Sequence, residues 1–299
     1  MVYTVTFNPA VDYVMYADSL NAGMVNRSKH EEVYFGGKGI NVSLVLKELG
    51  IESAAMGFVA GFTGEALEKA VADKGIITDF IHLDDGFTRI NVKIKSDSET
   101  DLNGQGPLIA GDDLDKLLAK LNNIKDGDTI VLAGSIPNTL PSDTYEKILE
   151  RLADREVKAV VDATKDLLLK VLKYRPFLVK PNNYELGEMF NVTVTSDEEI
   201  VKYASKLREL GARNVLVSKA GDGALLLDEY GNTHICGVCR GKVKNSVGAG
   251  DSMVAGFIAG SEEGDYEYAL KLGTAAGGAT AFSEGLAQKD DIYRLLKQL

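Results

Sequence analysis

The stretch Thr129-Ile130-Val131-Leu132-Ala133-Gly134-Ser135-Ile136-Pro137, a run opened by Ser142 and reaching about Ala153, and then Ala159-Val160-Val161-Asp162 read as strand, helix and strand. Ser142 is the expected helix cap. Two short apolar runs joined by an amphipathic one make a βα unit and a parallel sheet. Outward from this unit the alternation repeats. Val2–Phe7, Ala54–Val59, Phe177–Lys180 and Val215–Lys219 are further core strands. Ile40–Leu49 is a helix with apolar positions at Val42, Val45, Leu46 and Leu49 and a stop at Gly50, and Asp197–Leu210 ends at Gly211. Ala249–Gly260, Tyr266–Phe282 and Asp290–Gln298 complete the helices. The fold class is therefore α/β, a central mostly parallel sheet flanked by helices. No linker, low-complexity segment or long repeat divides the chain, so residues 1–299 are read as one domain.

Two regions break the rhythm. Val11–Tyr34 and Thr88–Gly104 alternate as strands with no helix between them, and are read as a small antiparallel sheet beside the core. In Arg89-Ile90-Asn91-Val92-Lys93-Ile94-Lys95 the odd positions are polar and the even ones apolar. A strand with one wet and one packed face suits a lid.

Apolar residues make up 45% and charged residues 26% of the 299, which excludes disordered, collagen-like and disulfide-scaffold chains. Acidic residues outnumber basic ones by 44 to 33, and the net charge of −11 argues against nucleic acid or an anionic membrane as partner. No apolar run reaches the roughly eighteen residues of a membrane span. The opening MVYTVTFNPAVD reads as a strand, not a signal peptide, so a cytoplasmic location is expected. Cys236 and Cys239 are spaced as in a redox centre or half a zinc site. No second pair exists, His30, His82 and His234 are scattered, and the pair lies in the strand-like run THICGVC; reduced thiols are the stronger reading.

The segment Asn245-Ser246-Val247-Gly248-Ala249-Gly250-Asp251-Ser252-Met253-Val254-Ala255-Gly256 is glycine-rich and then helical. Backbone N–H groups of Ala249, Gly250 and Asp251 are expected to be unpaired at the helix start, where with the helix dipole they suit a developing phosphoryl charge. Gly248 and Gly250 let an anion approach. Met253 stands where a dinucleotide fingerprint needs its third glycine, and no P-loop occurs anywhere. An aspartate on the rim of an anion hole suits accepting a proton from an attacking hydroxyl; the alternative is a helix cap with Asp251 in its first turn. Phe35-Gly36-Gly37-Lys38-Gly39-Ile40-Asn41-Val42 also precedes a helix, and Lys38 near a helix N-terminus is unfavourable unless an anion shares the site. Ser218-Lys219-Ala220-Gly221-Asp222-Gly223-Ala224 is above all a hairpin signal, with room for a nucleotide against its backbone.

GGKGINVS at 36–43 and NSVGAGDSMVAGF at 245–257 resemble the two signature regions of the ribokinase-like carbohydrate kinases, the family named after the minor bacterial phosphofructokinase. The segments at 8–12, 88–93, 100–107, 134–137 and 180–186 look most like its 1-phosphofructokinase branch, with tagatose-6-phosphate kinase the near neighbour. The resemblance covers essentially the whole chain. It implies an ATP-dependent, Mg²⁺-requiring kinase acting on the C6 hydroxyl of D-fructose 1-phosphate, with a small β lid and a homodimer as in relatives. A regulator that binds sugar phosphate without catalysis is the rival class. By resemblance Asp251 is the catalytic base, and Gly248, Ala249 and Gly250 belong to the anion hole. Asp12 holds sugar hydroxyls, Lys38, Asn41 and Arg89 meet the substrate's own phosphate, and Gly37 and Asn103 line the same pocket. Asn182 and Glu185 help place Mg²⁺ and the nucleotide phosphates, Glu185 through water. Lys180 and the run Ser218, Lys219, Ala220, Gly221, Asp222 and Gly223 line the nucleotide. Ala220 departs from the family's usual glycine, and Asn138 follows Gly-Ser-Ile-Pro where a small residue or proline is commoner.

Overall fold

In the computed structural model, which describes residues 1–299 apart from the side chain at 263, the strands are β1 (Val2–Thr6), β2 (Ala10–Tyr16), β3 (His30–Gly36), β4 (Ser53–Ala60), β5 (Ile77–Leu83), β6 (Arg89–Lys95) and β7 (Glu99–Asn103), then β8 (Thr129–Ala133), β9 (Lys158–Asp162), β10 (Leu178–Val179), β11 (Asn214–Ser218), β12 (Ala224–Leu227) and β13 (Thr233–Cys236). Nine of them form one sheet in the order β13-β12-β11-β10-β9-β8-β1-β4-β5. Every pairing from β11 to β5 is parallel, and β12 and β13 are added antiparallel at one edge. The helices are α1 (Lys38–Glu48), α2 (Gly61–Asp73), α3 (Gly111–Lys120), α4 (Thr144–Arg151) and α5 (Lys165–Val171), followed by α6 (Asn183–Met189), α7 (Asp197–Glu209), α8 (Ala249–Gly260), α9 (Tyr266–Ala281) and α10 (Lys289–Leu296).

Successive residues of each core strand feed opposite faces of the sheet. Ile130 and Leu132 pack with the α3–α7 layer, through Leu117, Ile148 and Leu207, while Val131 and Ala133 pack with Val45 of α1 and Val254 of α8. Helices on both faces explain why strands such as β4 are apolar and buried throughout. The expected helix at Ser142 instead begins at Thr144, with Asp143 at its cap and no side-chain cap bond. The Thr144 hydroxyl donates to the Pro141 carbonyl at 2.6 Å, and this local turn replaces the cap. Cys236 and Cys239 are free thiols buried in the layer of α8–α10, and burial raises both. Among the described residues no helix is long and apolar enough to cross a membrane.

The small sheet runs β3-β2-β6-β7. Its two outer pairs are antiparallel as expected, but the central pair, β2 with β6, is parallel. A parallel pair needs a long crossover, and the chain makes it by passing through α1, β4, α2 and β5 of the body before returning. Cross-strand register puts Tyr34, Asp12, Asn91 and Asn103 in one row, and Val33, Tyr13, Val92 and Leu102 in the next, on the opposite face.

Candidate active site

Strand order reverses about β1 and β8, and in an open α/β sheet the crevice lies beyond the carboxyl ends of strands at such a point. Gly134, Asp162 and Lys180 stand there, just after β8, at the end of β9 and just after β10. Two helix N-termini point into the same region. The start of α1 is tied to the end of β1 by the Ile40 N–H, which donates to Thr6 Oγ1 at 3.2 Å. The approach is close enough that Gly37, at φ 146°, has no room for a side chain, since a Cβ would lie 2.5 Å from Thr6 Cγ2.

At α8 the cap is Gly248, at φ 80°. Its left-handed backbone closes a turn in which the Ala249 N–H donates to the Ser246 carbonyl at 3.2 Å. Ala249 is therefore not one of the unpaired donors expected; among the described residues the Gly250 and Asp251 N–H groups have no backbone partner outside the helix. Asp251 is buried, and its Oδ2 accepts from Asn41 Nδ2 at 2.8 Å. Asp251 stands in the first turn of α8, as the helix-cap alternative has it, but makes no side-chain cap bond there; its bond leads to α1 instead. Burial foremost, then the neighbouring charge of Asp162, pushes the Asp251 carboxyl up to about 6, against the opposing pull of Asn41, Lys38 and Lys180.

Asp162 is buried and receives two ammonium groups, Lys38 Nζ at 3.2 Å on Oδ2 and Lys180 Nζ at 3.4 Å on Oδ1. Burial acts to raise its carboxyl, but the two lysines outweigh it and hold it below the usual range. Burial likewise acts to lower Lys38, and Asp162 and Asp251 outweigh it, so the ammonium stays protonated. Lys180 Nζ also lies 3.2 Å from where a Cβ would stand on Gly250, which places its charge directly beside the start of α8.

A cavity of about 1150 Å³ opens between the small sheet and the body, with Asp12, Lys93, Gly37, Asn41, Asn245 and Leu286 on its wall. On the sheet, Asn91 is buried and its Nδ2 donates to Asp12 Oδ1 at 2.7 Å. Because a carboxylate only accepts, the orientation of that amide is fixed, and Asn91 Oδ1 is left buried with no partner among the described residues. Arg89 is half-buried, its Nε donating to the Asn8 carbonyl at 3.1 Å; burial lowers it, Asp12 acting the other way. Asn103 is exposed on β7.

Across the crevice Asn182 and Glu185 close a capping box at α6: Glu185 N donates to Asn182 Oδ1 and Asn182 N to Glu185 Oε2, each at 2.8 Å. Asn182 bridges to Ser218, which leads into the turn Ala220–Asp222 between antiparallel β11 and β12, the hairpin its glycines signalled. Ala220 holds φ 48°, a left-handed position a glycine would occupy without strain. Lys219 turns to Asp197 at 2.7 Å, and Asp222 is exposed.

The structure thus brings Lys38, Asn41, Lys180, Gly250 and Asp251 into one cluster, and Asp12 and Arg89 onto the small sheet. Lys38 and Asn41 make their bonds to Asp162 and Asp251, while Arg89 bonds to Asn8. Asp162 was not among the expected site residues. A lone carboxylate ending the apolar run of β9, in a βα unit, was the available signal. Asn91 was visible only as one member of a polar strand face.

From residue 5 to residue 291 the chain matches the description pfkB family carbohydrate kinase. It is 48% identical over 300 residues to the 1-phosphofructokinase of Bacillus subtilis (strain 168), with 100% of this chain and 98% of that protein covered. It is 38% identical over 301 residues to the D-tagatose-1-phosphate kinase of Bacillus licheniformis, covering 100% and 98%. That relative is named for the 1-phosphate, where the sequence had pointed to a 6-phosphate enzyme as near neighbour. The fold superposes with a TM-score of 0.93 on the crystal structure of Escherichia coli phosphofructokinase-2 in complex with substrates and products, at 26% identity and with 100% and 99% of the two chains covered. Since the match extends through both glycine segments that Asn41 and Asp251 join, the chain belongs to the pfkB family of carbohydrate kinases.

Proposed function

We propose that this chain transfers the terminal phosphoryl group of ATP to the C6 hydroxyl of D-fructose 1-phosphate, giving fructose 1,6-bisphosphate and ADP. The observation that carries the reading is the buried Asp251 carboxylate at the glycine-opened start of α8, with the ammonium groups of Lys38 and Lys180 beside it. Asp251 orients the attacking hydroxyl and takes its proton, the Gly250 and Asp251 N–H groups receive the charge on the transferring phosphoryl, and the lysines neutralise it. Lys38 belongs with Lys180 at this point because its Nζ is already drawn to Asp162. Asp12, held by Asn91, binds sugar hydroxyls, and Arg89 the phosphate already on the sugar.

Asn182, Glu185 and the Ser218–Gly223 turn line the nucleotide. Among the described residues no cluster of three His, Cys, Asp or Glu side chains suits a metal, and Glu185 has one carboxylate oxygen committed to backbone and one not. That donor set fits Mg²⁺ carried on the nucleotide phosphates and reached by Glu185 through water. When bound, the ion neutralises charge on the phosphates.

The choice of substrate is supported by the name of the Bacillus subtilis relative, and the name of the Bacillus licheniformis relative supports a second reading, D-tagatose 1-phosphate, which differs in configuration at C4. ADP release measured with fructose 1-phosphate, tagatose 1-phosphate, both 6-phosphates and free fructose separates them. The highest kcat/KM is expected on fructose 1-phosphate; the highest on tagatose 1-phosphate selects the second reading, and no release with any of them leaves the non-catalytic regulator. A homodimer through the small sheet belongs to the same proposal, because Val33 and Leu102, 50% and 71% exposed, continue an apolar face through Tyr13 and Val92. Sedimentation should give a dimer for the native chain and a monomer for Leu102→Asp.

A further inference from the structure

Asp162 does not line the cavity, yet three elements of the site meet on it. It ends β9, Lys38 reaches it from the first turn of α1, and Lys180 reaches it from the residue after β10. The backbone is pinned at the same point, with the Gly134 N–H donating to the Asp162 carbonyl at 3.0 Å and the Lys180 N–H to the Val161 carbonyl at 3.3 Å. A carboxylate this deeply buried needs a cation, and Lys180 alone supplies one charge. Lys38, with a side chain 45% exposed against 7% for Lys180, is the less buried of the two, and water shares its solvation with Asp162. Its place beside Asp162 therefore aligns Lys38 more than it rescues Asp162.

We propose that Asp162 is a positioning residue for phosphoryl transfer, holding the ammonium groups of Lys38 and Lys180 on the two sides of the transfer point and acting with its charge on Asp251 beyond them. The inference rests on the phosphoryl-transfer reading above. Two lysines converging on one anion hole repel each other, and a fixed carboxylate between them lets both stay in place before the polyphosphate arrives. Once a phosphoryl group lies at Gly250, Lys180 faces it from a position that needs no reorganisation, and Lys38 is held on the same carboxylate.

The charged groups facing Asp251 are Lys38 from α1, Asp162 from β9 and Lys180 beyond β10. From α9 the approach to α8 is through Gly273, Gly277 and Thr280, all neutral. Of these charges only Asp162 makes Asp251 a stronger base, second to burial itself, and both lysines work against it. Removing the charge of Asp162 should leave Asp251 ionised to lower pH, and removing only its position should not.

Asp162→Asn and Asp162→Glu test the two parts separately. In ADP release with fructose 1-phosphate, Asp162→Asn should lower kcat about 10²-fold, and the acid limb of its kcat/KM profile should move to lower pH than the native limb. The sugar phosphate titrates near ~6 in both profiles, so the displacement between them is the readout. Asp162→Glu keeps the charge and shifts it by one methylene; its acid limb should stay at the native pH while kcat falls at least about tenfold. Inorganic pyrophosphate should raise the melting temperature of Asp162→Asn more than that of the native chain, since two uncompensated lysines then face it. A native limb in Asp162→Asn, near-native kcat in Asp162→Glu and equal pyrophosphate shifts would assign Asp162 to stability alone. If Asp162→Asn does not fold, kcat of Asp162→Glu decides between the same two outcomes. If the native chain phosphorylates no sugar, the function reading fails, while the pyrophosphate comparison still decides whether Asp162 organises the two lysines.

Discussion

Asn41 donates its side-chain amide to Oδ2 of Asp251 at 2.8 Å, a contact that closes 210 residues of chain. It joins the starts of α1 and α8, so the two glycine segments that are separate in sequence share one site. The bond leaves the other carboxylate oxygen, Oδ1, for a substrate hydroxyl, and a side chain fixed in this way suits a base whose orientation matters more than its strength.

Asp251→Asn keeps that shape and removes the proton acceptor. Turnover should fall about 10²–10⁴-fold, with ATP affinity within a few-fold of native. The pH dependence of stability carries a second signature. The carboxyl is pushed up to about 6 in the folded chain from its ordinary 3.8, so its ionisation destabilises the native state as pH rises between those values. The variant should melt higher than the native chain above pH 6, and the gain should vanish as pH falls toward 4. Near-native turnover would reject Asp251 as the base, and an unchanged melting difference across that range would reject its burial as the cause.

Gly250→Ala separates stability from chemistry. The new Cβ meets the far end of Lys180 at 3.2 Å and no backbone, so the ammonium must move by a few tenths of an ångström while the fold stays intact. Alanine also favours the helix over glycine by up to about 1 kcal/mol. The melting temperature should hold or rise while kcat falls at least about tenfold; full activity would remove Lys180 and Gly250 from the transfer point.

The local parts of this site were legible and the nonlocal ones were not. Gly248 and Gly37 announce helix starts, and Asp251, Lys38 and Asn41 stand beside them, because capping and dipole chemistry operate within one turn. Asp162 read as the end of a strand, since its partners arrive from residues 38 and 180. The parallel β2–β6 pair was hidden for the same reason: the register is set by where the body returns the chain. At Ser142 the miss was local, with Pro141 and Thr144 making a turn that competes with the cap.

On the small sheet, the Asn91–Asp12 bond of 2.7 Å predicts a pH-dependent variant. Asn91→Asp sets two carboxylates at hydrogen-bond distance, and one of them must then bind a proton well above the ordinary carboxylate range. KM for fructose 1-phosphate should rise steeply near pH 8 and recover toward native as pH falls and a shared proton restores the bond. A KM that stays native at both ends of that range would place Asn91 in sheet packing alone.

Arg89 decides whether the site reads a sugar phosphate or a sugar. Its Nε is committed to the Asn8 carbonyl, which fixes the plane of the guanidinium and leaves the two terminal nitrogens for a ligand. A guanidinium so held can clamp a phosphate through two parallel hydrogen bonds, and an unphosphorylated hexose gives it no comparable partner. Losing one member of a desolvated charge pair costs about 2–5 kcal/mol, or roughly 30- to 5,000-fold in kcat/KM. Half-burial puts Arg89 toward the lower end of that range. Arg89→Ala should therefore raise KM for fructose 1-phosphate at least about 30-fold and barely alter KM for ATP. The poor rate expected on free fructose should change little, so discrimination between the two sugars should shrink. Equal losses on both sugars would mean that Arg89 holds Asn8 and the small sheet in place and does not read the phosphate.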